Sequence, residues 1–344
     1  MADEKKNATI KDIARELGLS AMAVSKALNN KPGVKNETRE KILQTAKNLD
    51  YKPNNMAQSL KLNRSKTIGV VASDSSSSFL SKVVRGIEDA AEKEGYNIIV
   101  CNTDSDAEKE KKAINVLISK RIDGIVLASS MLTGIEYAGF LDSLGIPCVF
   151  AVRRSDNPKA DTVVNDNVLG AYQMVRYLLK GGCGRIHFIN MTMNSPSSAD
   201  RLAGYKKALG EAGIAYDPRI VFNVSPYIDD GYIMMRQILN KDREVKCVFC
   251  GCDTVAIGAM EALVEHGLRI PQDVQLAGYD DIEFAAYLRV PLTTMNQPKY
   301  LIGTKSVEVL MKRIRNLTDE VQNIIVRSTL SIRESTLRIG ATKE

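Results

Sequence analysis

At 344 residues with 44% hydrophobic content, the chain exceeds one ordinary domain and has apolar material for more than one core. No run approaches the roughly 18 apolar residues of a membrane helix, and the opening Met1-Ala-Asp-Glu-Lys-Lys-Asn lacks the apolar core of a secretion signal; a cytoplasmic protein without membrane contact is expected. The net charge of +6 is uneven, with 14 Lys/Arg against 7 Asp/Glu in residues 1–66 and 33 against 34 in the other 278, so a basic front on a near-neutral body points to a polyanionic partner.

Three short helices are expected at the front. Thr9 suits an N-cap, with Asp12 three residues on as its box partner, and Ile10, Ile13, Ala14 and Leu17 recur at helical spacing. Gly18 ends that helix, Leu19 fills the turn and Ser20 caps the next. In the second helix Val24, Ala27 and Leu28 face inward, leaving Ala21, Met22, Ser25 and Lys26 outward. A third helix is expected from Glu37 to Leu49, with Ile42, Leu43, Ala46 and Leu49 inward. Helix, Gly turn, short helix is the helix-turn-helix pattern, whose second helix fits the major groove; a plain three-helix bundle is the alternative. Lys26 can donate to guanine or phosphate, Ser20 and Ser25 to phosphate or a base, while Ala21 and Met22 offer apolar contact.

Pro53 stops the third helix and Asn54 can cap another. The segment Asn55–Leu60 is far shorter than the roughly 12–15 residues a free helix needs, so it should order only against DNA and a dimer mate. Thr9-Ile-Lys-Asp-Ile-Ala-Arg-Glu-Leu-Gly-Leu-Ser, Val24-Ser-Lys-Ala-Leu-Asn29 and Tyr51-Lys-Pro-Asn-Asn-Met-Ala-Gln-Ser-Leu-Lys61 together resemble the head and hinge of the lactose-repressor (LacI) family. The resemblance implies base reading by Ala21, Met22 and Lys26, and a minor-groove wedge at Leu60 beside Ala57. Thr9, Ser20, Ser25, Asn29, Tyr51, Asn54, Asn55, Gln58 and Lys61 complete the implied DNA contacts. Ala23 and Lys26 stand where the family often has Thr and Arg, which bears on the base preference.

From Thr67 short apolar runs alternate with amphipathic helices. Strands are expected at 68–72, 97–101, 124–128, 147–152, 185–190, 221–224, 246–251 and 274–278, which implies two doubly wound parallel α/β subdomains. The expected organisation is a helix-turn-helix head (1–50), a hinge (51–66) and a body (67–344), its subdomains spanning about 67–165 with 295–330, and 166–294. Cys247, Cys250 and Cys252 invite a zinc reading, but alternate residues of a strand face opposite ways, so these thiols should not converge. With two histidines and no glycine-rich phosphate loop after a strand, the chain does not read as an enzyme, and no cofactor or metal is expected.

The body continues the resemblance through Arg85-Gly-Ile-Glu, Val164-Asn-Asp-Asn, Arg201-Leu-Ala-Gly-Tyr, Gly278-Tyr-Asp-Asp, Gln297-Pro and Arg333-Glu-Ser-Thr, and is also similar to periplasmic sugar-binding proteins. It implies a dimeric repressor on a near-palindromic operator, under allosteric control by a small polar effector such as a sugar. A transport-type solute-binding module is the rival reading, but it would lack the basic head. Implied effector contacts are Arg201 and Asp280, or else these form a structural ion pair across the cleft. Phe79, Leu80 and Tyr227 would give apolar or aromatic cover. Cys252 and Asp253 are further implied contacts, Cys252 standing where many sugar-binding members have Asn; Val152, followed by Arg153, replaces a usual Asp, and Ser195 stands where the purine repressor has Arg. Arg153 suits a phosphorylated or acidic ligand, or is a solvated arginine.

Overall fold

A computed structural model describes residues 8–51, 64–131, 135–192 and 195–337, which fall in two compact units, one ending at Ser65 and one beginning at Lys66. The expected hinge contacts Asn54, Asn55, Ala57, Gln58, Leu60 and Lys61 lie outside the described residues.

The head holds α1 (Ile10–Leu17), α2 (Ala21–Leu28) and α3 (Asn36–Asn48). Thr9 Oγ1 accepts from the Asp12 N–H at 3.3 Å, and the Asp12 carboxylate accepts from the Thr9 N–H at 2.9 Å. This reciprocal box satisfies backbone donors that the first turn leaves open. Gly18 ends α1 at φ 64°, a left-handed position natural to glycine. Ser20 Oγ then accepts from the Ala23 N–H at 3.2 Å. Ile13, Val24 and Ile42 are fully buried at the centre, each contributing about 1.5–3 kcal/mol. Leu43, expected inward, is exposed, and Thr45 is buried instead. From Ile42 the i, i+3, i+4 stripe runs through Thr45 and Ala46, and Leu43 sits about a quarter turn off it. Arg39 of α3 braces the loop after α2, donating to Asn30 Oδ1 at 2.5 Å and to the Lys31 carbonyl at 2.8 Å.

The larger unit runs β1 (Thr67–Ala72), α4 (Ser78–Lys93), β2 (Asn97–Asn102), α5 (Ala107–Ser119), β3 (Gly124–Ala128), α6 (Ile135–Ser143), β4 (Cys148–Val152), β5 (Asp161–Asn165), α7 (Asn167–Lys180), β6 (His187–Met191), α8 (Pro196–Glu211), β7 (Val221–Val224), α9 (Ile228–Lys241), β8 (Cys247–Cys250), α10 (Asp253–Glu265), β9 (Gln275–Ala277), β10 (Thr294–Asn296), α11 (Lys299–Ile314), β11 (Asn323–Val326) and β12 (Thr329–Ser331). One parallel sheet has the order β11-β5-β4-β3-β1-β2 and the other β7-β6-β8-β9. The central strands of both are covered on two faces, which is why they read as unbroken apolar runs. In β1, Ile68, Val70 and Ala72 meet α4 and α11 on one face, while Val71 meets the α5 side on the other. In β8, Cys247 packs with Phe188 and Tyr205 on one face and Cys250 with Ala256 and Ala259 on the other, so the thiols diverge.

The chain passes between the subdomains three times, after Asn165, after Asn296 and after Val326. Asn165 ties two crossings together, accepting from the Ser328 hydroxyl at 2.5 Å, and its amide donates to Tyr279 Oη at 3.0 Å. Beyond β11 the chain returns to the second subdomain, where β12 pairs antiparallel with β10 and the Leu276 N–H donates to the Ser335 carbonyl.

Gly170 of α7 lets Tyr279 approach, because a Cβ there would stand 2.1 Å from its hydroxyl. Gly170→Ala should cost about 1–3 kcal/mol by overpacking, and Tyr279→Phe in the same chain should recover part of that loss. A double-mutant cycle by urea unfolding checks this; strictly additive losses would refute the contact.

Candidate functional site

Two surfaces carry the candidate chemistry. On the head, Ala21, Met22 and Lys26 lie on the outward side of α2, with Met22 70% exposed. An unbranched apolar side chain held in water on a recognition-type helix suits contact with a base methyl. Ser25 is half-buried. The Asn29 amide donates to the Ser25 carbonyl at 2.8 Å and closes the end of α2. Thr9 and Ser20 hold helix starts by the caps already described. Tyr51 packs against the head core, half-buried, and that burial raises its phenol's pKa.

In the larger unit a cavity of about 180 Å³ opens where strands of both sheets end. Parallel sheets present ligands with the carboxyl ends of their strands, and much of the wall follows such ends. Ser73 and Asp74 follow β1, Ser129 follows β3, Arg153 follows β4, Ser195 follows β6, Cys252 follows β8 and Asp280 follows β9. Phe79 and Leu80, from the first turn of α4, and Tyr227, which is 61% exposed, give apolar cover. Seven of the eight expected effector residues thus line one cavity. Asp253 does not. It is fully buried behind the wall, where its carboxyl accepts from the Ile282 N–H at 2.9 Å and the Thr294 hydroxyl at 2.6 Å.

Arg201 is the best-held charge. Its guanidinium lies 3.9 Å from the Tyr279 ring centroid, donates from Nε to Asn167 Oδ1 at 3.0 Å and from Nη1 to the Gly251 carbonyl, and stands 3.7 Å from Asp280. Asp280 also accepts from the Gln297 amide. Burial raises the Asp280 pKa, while Arg201 and Lys299 pull it back. A fixed fork of donors beside a carboxylate acceptor is what a hydroxyl-rich molecule requires. The Cys252 thiol is pushed up to about 12 by burial, so at neutral pH it is a thiol and not a nucleophilic thiolate.

Backbone strain gathers at the same walls. Ser105, Ser129, Val152 and Asp280 all line the cavity at positive φ, and Val152, at 73°, is β-branched and strongly disfavoured there. Two ion pairs link the lips, Arg154 with Asp200 at 2.6 Å and Lys82 with Glu283 at 3.4 Å. Sequence reasoning missed the serines of the wall, together with Asn167 and Gln297 as partners of the charged pair. Their one signal is position just past a strand end, which many loop serines share.

Asp253 sits above the ordinary carboxyl value, through burial first and the Asp280 charge second. Asp253→Asn should fold, keeping an acceptor for Ile282 and a partner for Thr294. Asp253→Ala should lose about 1–3 kcal/mol by orphaning both. Because the fold retains this proton when the unfolded chain has lost it, stability should fall as pH rises above 3.8 until the folded group ionises. The Asn variant should lack that slope in thermal melts across the pH range.

Residues 9–54 match the family described as bacterial regulatory proteins, lacI family, and residues 65–334 match the periplasmic binding proteins and sugar binding domain of the LacI family. Over 331 residues the chain is 36% identical to the HTH-type transcriptional regulator RegA of Clostridium saccharobutylicum, covering 96% of this chain and 99% of that protein. It is 36% identical over 330 residues to the HTH-type transcriptional repressor PurR of Vibrio atlanticus, covering 94% and 98%. The lac repressor dimer bound to operator and the anti-inducer ONPF superposes with a TM-score of 0.88 at 28% identity, covering 97% of this chain and 100% of that one. The chain belongs to the LacI family of bacterial regulatory proteins, and it is a DNA-binding transcriptional regulator.

Proposed function

We propose that the protein is a repressor that binds a near-palindromic operator as a homodimer and changes its grip when a small polyhydroxylated ligand enters the cleft. The observation that carries this reading is the Arg201–Asp280 pair on the cavity wall, donor and acceptor side by side between two subdomains. The similar lac repressor structure supports it, being a dimer with operator and a small ligand together. Ala21, Met22 and Lys26 would face base edges, and Ser20 and Ser25 phosphates.

The mechanism is a population shift. A ligand that touches both lips binds the closed cleft more tightly than the open one, and only that difference can move the equilibrium. Coupling of this kind is typically about 1–3 kcal/mol and is reciprocal, so operator and ligand each alter the affinity for the other. The walls supply donors, acceptors and apolar cover, which suits binding rather than turnover. Among the described residues no helix is long and apolar enough to cross a membrane.

Operator titrations with and without candidate sugars test the proposal. Lys26→Ala should weaken operator binding by about 1–3 kcal/mol if Lys26 reads a base. If it meets phosphate, the loss should be the same for all sequences, with a salt slope smaller by about 1. Arg201→Ala should abolish the ligand's effect on operator binding; a retained ligand effect would remove Arg201 from the site.

A further inference from the structure

The cavity holds two guanidiniums in different circumstances. Arg201 is stacked, hydrogen-bonded and faced by Asp280. Arg153 is half-buried on the opposite subdomain, and among the described residues its side chain is engaged through Nη1 alone, by the Ser130 carbonyl at 3.3 Å and the Met131 sulfur. No carboxylate among the described residues lies within ion-pair distance of it, although its sequence neighbour Arg154 is paired with Asp200. The nearest buried carboxylate, Glu110, has its oxygens taken by the Ser130 and Tyr137 hydroxyls and the Met131 N–H. It therefore favours the arginine's charge from a distance without occupying its donors. Asp74, also on the wall, is turned to the N–H and hydroxyl of Ser76.

Two further observations point into the same space. The Ser195 hydroxyl lines the cavity, is buried and has no hydrogen-bond partner among the described residues. Ser129, at the end of the strand beside Arg153's own, holds φ 71°, and its hydroxyl has no partner among the described residues. Arg153 and Arg201 repel one another across the cavity, and this works with burial against the Arg153 charge. A half-buried cation with open donors, beside an unused hydroxyl and facing a second cation, is relieved by one kind of guest. An oxyanion accepts from the fork and screens the repulsion.

We propose that the effector is an acidic polyol, its phosphate or carboxylate seated on Arg153 and Ser129 and its hydroxyls on Arg201, Asp280 and Ser195. This deepens the reading of the cleft as the effector site and rests on it. The anion lies on the Arg153 side because Asp280 repels it from the other. The strained turn at Val152, φ 73°, sets Arg153 on the cavity wall, where a relaxed valine would redirect the chain.

The test is calorimetric titration of the full-length protein with matched pairs: ribose 5-phosphate against ribose, gluconate against glucose, and galacturonate against galactose. At least one acid should bind about tenfold or more tightly than its neutral partner, and that preference should weaken with salt. The phosphate and carboxylate arms separate the two sources of the anion. Arg153→Met, which keeps length and loses charge, should erase the preference, Arg153→Lys should keep part of it, and Arg154→Met should leave it intact. Equal or tighter binding of the neutral partners overturns the proposal, and so does an Arg153→Met protein that still prefers the acid. Neutral sugars binding alone would sink this inference and leave the cleft as the effector site; silence from all six compounds would sink both. The wild-type comparison needs no variant, so a misfolded mutant does not spare the idea.

Discussion

A buried guanidinium left alone would cost several kcal/mol, and the architecture around Arg201 answers that cost. The Tyr279 ring lies against its face, Asn167 and the Gly251 carbonyl take its donors, and Asp280 supplies the countercharge. Each partner is itself tied down. Tyr279 is bonded by Asn165 where the chain first crosses between subdomains, and Asn165 accepts from Ser328 at the third crossing. Asp280 is held by Gln297 beside the second crossing. All three hinge strands are therefore joined through a few polar contacts to one arginine. A ligand that alters Arg201's surroundings acts on the segments about which the subdomains would turn, and no long relay is required.

The remaining polarity of the cavity is unevenly finished. One wall is saturated around Arg201, its donors and acceptors matched within the protein. The other keeps Arg153 and Ser129 without full partners, and across from them the Ser195 hydroxyl is also unpaired among the described residues. Buried polar groups are rarely left so, and specificity comes most sharply from such groups, because a guest lacking the matching atom leaves them unpaired.

What could be read from the chain followed the range of the interactions involved. The head was legible because the Thr9–Asp12 box, the Gly18 terminator and the Ser20 cap act over three or four residues. The sheets were legible because strands covered on both faces are apolar throughout. Leu43 lies outside the core of α3, although a leucine next to Ile42 looks like core until the stripe is extended to Thr45. Asp253 is next to Cys252 in sequence, but as the first residue of α10 it turns back under the wall to Ile282 and Thr294 and stays out of the cavity. Ser129, Ser195 and Gln297 come together only through tertiary structure, and no local spacing marks them. The return of the chain from Val326 to pair β12 with β10 likewise depends on partners far away in sequence.

The two clasps across the lips, Arg154–Asp200 and Lys82–Glu283, differ in kind from the Arg201 pair. Three of their four side chains are more than half exposed, so each contributes at most about 1 kcal/mol and fades over a Debye length of about 8 Å at physiological ionic strength. The grip of a basic head on a duplex is weakened by the same ions. Dissolved salt therefore acts on the cleft and on the DNA contact alike. Rising ionic strength weakens both contacts, so dose–response curves for any ligand should be compared at fixed salt.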